Sequence, residues 1–135
     1  MRLQKNTMFA LYSVLESAAE PGRQFSAGEI AQKYAISPHH LAKVLRTLGR
    51  AGLVESVRGV GGGYRFCDNA KRLTLMDVVQ LFENVATPAA RGARRPGVER
   101  GVATVLAEID DMAEATLQSI SIATMVKLIL RQQGR

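Results

Sequence analysis

The chain has 135 residues and a mass of 14.7 kDa, with 47% hydrophobic and 22% charged residues, which is the composition of one ordinary globular domain. No apolar run approaches the roughly 18 residues of a membrane span, and we expect no signal peptide. The single cysteine, Cys67, excludes an intrachain disulfide and a multi-cysteine metal site within one chain. The net charge is +6, and residues 1–66, with nine basic and four acidic residues, carry +5 of it. This asymmetry favours a polyanionic partner for the N-terminal half.

The first fifty residues predict three helices. Apolar residues at three- and four-residue steps indicate the first, over residues 6–19. Ser26 and Glu29 have the spacing of a capping box at the start of the second helix. Ser37 and Pro38 suit the N-cap and first position of the third. The basic residues of the third helix share the face opposite its leucines and valine: His39, Lys43, Arg46 and Arg50.

A glycine-tipped hairpin follows these helices. Residues 53–57 alternate between apolar and polar side chains, as a strand does. Arg58 opens a glycine-rich tip that ends at Gly63, and residues 64–66 indicate a returning strand. The predicted fold is therefore mainly α with a small β-hairpin wing, a winged helix-turn-helix.

The last half of the chain predicts three more helices. Thr74 caps a fourth helix, which reaches residue 83. An arginine-rich loop separates it from a long helix, and a closing helix over residues 122–130 packs back on the core. The long helix carries an apolar seam with steps of 4, 3, 4, 3 and 4, which indicates a partner helix. Packing of this seam inside the protomer alone is the alternative. We call these residues the seam: Val98, Val102, Val105, Ile109, Met112 and Thr116.

This arrangement suits binding to DNA. An α-helix fits the major groove of B-DNA, and the second helix and its turn hold the third at a fixed angle. Arg58, at the base of the wing, would enter a narrow minor groove. The helix N-termini at Ser26 and Ser37 would point amides and hydroxyls at phosphates. From the geometry of the third helix we add three residues as DNA contacts: His40, Lys43 and Arg46.

Several motifs resemble the IscR/NsrR/CymR family of bacterial winged-helix regulators. They include Ile36-Ser37 through Leu41, Gly52-Leu53-Val54 and, above all, the wing Val57-Arg58-Gly59-Val60-Gly61-Gly62-Gly63-Tyr64. The resemblance covers nearly the whole chain. It implies a cytoplasmic homodimer, joined through the long helix, that binds an imperfect palindrome and mostly represses transcription. It also implies DNA contacts at Arg2, Gln4, Ser37, His39, Arg58 and Gly59.

The sequence departs from many members of that family at the cofactor site. Those members hold an iron–sulphur cluster through three cysteines between the fourth helix and the dimer helix. The corresponding residues 84–104 contain no cysteine and instead contain Arg91, Arg94, Arg95 and Arg100. A guanidinium stays protonated and cannot ligate iron. We therefore expect a cluster-free regulator with no cofactor.

Three local interpretations remain open from the sequence. The arginine-rich loop is a solvated segment, a further phosphate contact, or a site for an acidic effector or protein. Cys67 is a small buried residue, an idle thiol or a redox sensor. His39 and His40 contact DNA or solvent, since neighbours on a helix point about 100° apart and do not converge on one metal ion.

The chain divides, in this interpretation, into a winged helix-turn-helix over residues 1–83, an arginine-rich loop over 84–97, and dimerisation and closing helices over 98–135, all in one compact unit. The predicted function is a sequence-specific DNA-binding transcriptional regulator, a repressor. The alternative is a winged-helix module that binds and regulates a partner protein. An enzyme is disfavoured, because no catalytic constellation or phosphate-binding loop is present in the sequence.

Overall fold

The N-terminal part of the protein is a cluster of three helices. A computed structural model describes residues 2–59, 62–83 and 96–134. The three helices are α1 (Lys5–Ala19), α2 (Ala27–Lys33) and α3 (Pro38–Arg50). Their limits agree closely with those predicted from the apolar spacing and the caps.

The predicted capping box at the start of α2 is only half formed. The Ser26 hydroxyl accepts a hydrogen bond from the Glu29 amide at 3.0 Å. The Glu29 carboxylate does not accept a hydrogen bond from the Ser26 amide, and it lies 3.5 Å from the guanidinium of Arg23. Ser37 is the N-cap of α3, with Pro38 in the first turn, but its hydroxyl makes no capping hydrogen bond. Both serines therefore begin helices as predicted, and the Ser37 hydroxyl is left for other partners.

Helix α3 is amphipathic and ends where the sequence indicates. Leu41, Val44, Leu45 and Leu48 are buried. At its C-terminus Gly52 has a φ of +83°, and the Leu53 amide donates to the Leu48 carbonyl at 3.0 Å. This is the left-handed helix end that glycine provides at least cost.

The wing is a two-stranded antiparallel hairpin. Strands β1 (Val54–Val57) and β2 (Gly63–Phe66) pair in register, with Val54 opposite Phe66. Phe25, just before α2, forms a bridge with Tyr64 through two backbone hydrogen bonds of 2.7 Å. The hairpin is thus attached along its second edge to the segment that leads into α2.

The remaining helices are α4 (Leu75–Gln80), α5 (Gly97–Ser119) and α6 (Ile122–Gln133). Helix α4 is shorter than predicted, because residues 81–83 form a turn in which two of the three amides donate to the carbonyl three residues earlier. Thr74 and Asp77 form a complete capping box. The starts of α4 and α6 are paired, since Thr74 bridges Ser121 and the Ile122 amide donates to the Leu73 carbonyl at 2.7 Å.

The core lies between α1, α3, α4 and the start of α6. Val14, Leu41, Leu48, Val78 and Ile122 are all fully buried or nearly so. Helix α6 packs on α1, as its apolar residues predict. By contrast, α5 has no buried residue along its 23 positions. Among the residues that the structure describes, no helix is long and apolar enough to cross a membrane.

Candidate nucleic-acid interface

The outward face of α3 is an exposed basic surface. His39, His40, Lys43 and Arg46 are all exposed, while the opposite face of the same helix is buried. The rings of His39 and His40 are 6.2 Å apart at their centroids and inclined by 76°. The structure therefore brings together the four α3 residues that the sequence assigns to DNA.

Among the described residues, the cations predicted to contact DNA take no part in an ion pair. Arg23, Lys33 and Arg65 each pair with a glutamate. In the described ranges, no carboxylate lies within 4.0 Å of the charged groups of the cations predicted to contact DNA: Arg2, Lys43, Arg46 and Arg58. Cations without an internal partner can neutralise phosphates without first breaking an ion pair.

Arg58 lies at the base of the wing, directly after β1, and is exposed. The next residue, Gly59, has a φ of +110°, a conformation that a side chain rarely adopts. The Gly62 amide donates to the Gly59 carbonyl at 2.9 Å. Val60 and Gly61 lie outside the described residues.

A network of polar and aromatic side chains joins α1 to the end of α2. The Tyr34 hydroxyl donates to the Glu16 carboxylate, which also pairs with Lys33, and the Tyr12 ring stacks on Tyr34 with centroids 4.8 Å apart. Burial and the carboxylate together raise the pKa of Tyr34. Burial opposes ionisation of Glu16, but the hydrogen bonds from Lys33 and Tyr34 outweigh it and lower the pKa of that carboxyl. Glu16 therefore stays ionised and Tyr34 stays protonated at neutral pH, and their hydrogen bond joins α1 to the end of α2.

That turn contains Ala35 with a φ of +53°, left-handed although the residue is not glycine. Ala35 connects α2 to α3, and the Ile36 amide next to it donates to the Ala31 carbonyl at 2.8 Å. We expect the left-handed turn and the network together to fix the angle of α3.

Arg2 and Gln4 lie at the N-terminal end of α1, and both are exposed. Gln4 is the N-cap of α1, yet its side chain makes no capping hydrogen bond. Its backbone amide donates to a carboxylate oxygen of Glu83 at 3.0 Å, and the hydroxyl of the fully buried Thr7 donates to the same oxygen. The sequence does not indicate this role of Glu83, because no local pattern links residues separated by almost eighty positions.

One other feature has no clear local signal in the sequence. The bridge from Phe25 to β2 depends on Gly63, whose added Cβ would lie 2.2 Å from the Phe25 carbonyl oxygen. The sequence offers two weak signals for this bridge. Phe25 is an aromatic residue in a polar stretch, and Gly63 is a glycine at the start of a strand. Neither the Glu83 contacts nor the Phe25 bridge involves the exposed face of α3, but they hold the start of α1 and the wing in place.

The seam on α5 is exposed. Val98 is 84% exposed, Val105 55%, Ile109 49% and Met112 69%. Val102 and Thr116 are exposed as well. The described part of this chain does not cover the seam, which favours a partner helix over packing inside the protomer.

Cys67 follows β2 and is exposed, so the interpretation that it is a buried residue is wrong. Its thiol donates to the Gly52 carbonyl at 3.3 Å. Partial burial and the nearby carboxylates of Glu55 and Asp68 raise the pKa of the thiol. A raised pKa lowers the thiolate fraction and therefore the reactivity with oxidants.

The predicted arginine-rich loop lies largely outside the described residues. Arg91, Arg94 and Arg95 belong to the part that the structure does not describe. Arg100 lies in the first turn of α5 and is exposed. The role of this loop stays a prediction.

The chain belongs to the Rrf2 family. The family model, described as "Iron-dependent Transcriptional regulator", matches residues 3–128. The chain is 55% identical over 130 residues to the HTH-type transcriptional regulator BadM of Rhodopseudomonas palustris, an alignment that covers 96% of this chain and 83% of that protein. The protein is accordingly a winged-helix, DNA-binding transcriptional regulator, as the motifs of the wing and α3 predict.

Solved structures show the same fold. CymR of B. subtilis superposes with a TM-score of 0.79 at 24% identity, covering 95% of this chain and 98% of that one. IscR of T. potens superposes with a TM-score of 0.75 at 23% identity, covering 94% of this chain and 87% of that one. The predicted fold class is confirmed.

Proposed function

We propose that this regulator is a homodimer that binds a palindromic operator and represses transcription without a cofactor or catalytic activity. The observation that carries the proposal is the combination of an unpaired basic α3 face and a long helix with an uncovered apolar seam. Each protomer supplies one winged helix-turn-helix, and two-fold symmetry then matches a palindrome. The DNA contacts would be Arg2, Gln4, Ser26, Ser37, His39, His40, Lys43, Arg46, Arg58 and Gly59.

The proposed dimer rests on the chemistry of the seam. Monomeric proteins rarely leave a large contiguous apolar patch in water. The 4, 3, 4, 3, 4 spacing keeps the seam on one side of α5 over about five turns. A second copy presents the same stripe, so that two α5 helices bury each other through a self-complementary contact.

The donor groups of this chain do not fit an iron–sulphur cluster, although the family description mentions iron. Cluster ligation uses thiolates and, less often, histidine or carboxylate. Cys67 lies at the end of the wing and donates its thiol proton to a carbonyl. Residues 84–95 have no cysteine, histidine, aspartate or glutamate in their sequence, and the described residues hold no group of three such side chains that could bind a metal ion. We therefore propose regulation without a cluster.

The experiment that tests this function is DNA binding to its own promoter fragment at several salt concentrations. The four cations without an ion-pair partner in the described residues predict about eight phosphate contacts in a dimer, and hence a slope near −7 for log K against log salt. A scrambled fragment of equal length is the control. A slope near zero, or equal affinity for both fragments, would contradict sequence-specific binding and favour the alternative of a protein-binding module.

We expect Arg58→Ala to weaken operator binding by about 1–3 kcal/mol, or roughly fivefold to 150-fold in Kd, without altering the dimer. The reason is that a guanidinium in a narrow minor groove meets the most negative potential of the duplex. Lys127→Ala, an equal loss of charge on the exposed side of α6, is the matched control and should leave the affinity nearly unchanged. Equal effects of the two variants in a fluorescence-anisotropy titration would remove Arg58 from the interface.

A further inference from the structure

We infer that Glu83 is a positioning residue for DNA binding, which acts by fixing the N-terminal end of α1 and with it the phosphate contact of Arg2. This inference rests on the proposed function. Glu83 belongs to the turn after α4, far from α1 in sequence. One oxygen of its carboxylate accepts both the Gln4 amide, at 3.0 Å, and the Thr7 hydroxyl.

The start of α1 lacks the usual local means of stabilisation. The first amides of a helix have no partner within the helix and need an acceptor. The N-cap side chain of α1 makes no capping hydrogen bond, and its first turn contains no acidic residue. Glu83 supplies both missing functions, since it accepts a hydrogen bond from the N-cap amide and places a negative charge at the positive end of the helix dipole.

The contact is specific because its second donor is inside the protein. Thr7 has no exposed surface, and its hydroxyl makes no other hydrogen bond in the described part of the chain. A buried hydroxyl without an acceptor is costly, so the Glu83 carboxylate is held at this site. Gln4 is thereby fixed, and the chain leaves α1 towards Arg2 in a defined direction.

Arg2 is exposed and, among the described residues, has no ion-pair partner. A cation on a frayed helix end must lose conformational entropy when it binds a phosphate, whereas one on a fixed end has lost it already. Glu83 thus increases affinity through Arg2, although its own negative charge does not favour DNA.

A mutant cycle on operator affinity tests this. We expect Arg2→Ala and Glu83→Ala each to weaken binding on the order of tenfold and to reduce the salt slope by about 1 per protomer. The double variant should bind within about twofold of Arg2→Ala alone. Glu83→Gln keeps an acceptor oxygen and should retain most of the affinity. Gln80→Ala, an exposed position on α4, is the control.

Should Glu83→Ala not fold, Thr7→Val removes the second donor without opening a cavity and enters the same cycle. Either variant overturns the inference if affinity and salt slope stay unchanged, or if its effect persists in full when Arg2 is alanine. A lower melting temperature with an unaltered salt slope means only a structural role and also overturns it. Failure of the unmodified protein to bind its promoter would instead refute the proposed function.

Discussion

Val105→Asp is expected to convert the proposed dimer to a monomer and to abolish specific operator binding. Val105 lies at the middle of the seam and is 55% exposed in the protomer. In a dimer the new carboxylate would be buried in an apolar contact without a partner, at a cost of about 3–5 kcal/mol. Two-fold symmetry introduces that cost from both protomers. Sedimentation velocity measures the mass, and DNA titration measures the linked loss of affinity.

The matched control is Thr104→Asp, one residue earlier on the same helix. Thr104 is exposed and lies about 100° away from Val105 around the helix axis. It introduces the same charge into the same helix without facing the seam, so we expect an intact dimer. A Val105→Asp protein that still sediments as a dimer, together with the same result for Ile109→Asp, would remove the seam from the interface.

Gly63→Ala is expected to detach the wing. A Cβ at this position would lie 2.2 Å from the carbonyl oxygen and 2.8 Å from the carbonyl carbon of Phe25, both of which belong to the backbone. Relief requires the strand to move away, which breaks the bridge between Phe25 and Tyr64. Overpacking and the loss of two backbone hydrogen bonds amount to about 3–5 kcal/mol of unfolding free energy. Denaturation by urea measures this loss.

A displaced wing also moves Arg58, so operator affinity should fall with stability. Gly22→Ala is the control, because Gly22 has no atom within 4 Å of an added Cβ and lies in an exposed turn. We expect its unfolding midpoint to stay close to that of the unmodified protein. If Gly63→Ala were equally neutral, the bridge to Phe25 would not be what holds the wing.

The parts of the fold with strong local signals were predictable from the sequence. The apolar spacing of α3, its Pro38 start and its Gly52 end are all encoded within fifteen residues, and the structure agrees with each. The seam on α5 was also visible, since a regular 4, 3 spacing does not depend on tertiary contacts. The shorter α4 was less predictable, because helix ends are set by competition between similar hydrogen-bond patterns.

The features that hold the interface in place were not predictable. Glu83 meets Gln4 and Thr7, and Phe25 meets β2, only after the chain has folded, and one sequence contains no periodicity that connects them. The half-formed box at Ser26 has a similar origin, because Arg23 attracts the Glu29 carboxylate away from its predicted partner. Long-range polar contacts of this kind depend on tertiary geometry, whereas helices and seams follow local patterns.

Selection of bound duplexes from a random DNA pool tests the central claim most directly. Two copies of this chain, related by two-fold symmetry, predict an enriched inverted repeat whose half-sites are separated by about one turn of B-DNA. A single asymmetric motif, or no enriched sequence, would contradict the claim that a dimer presents two winged helix-turn-helix units to one operator.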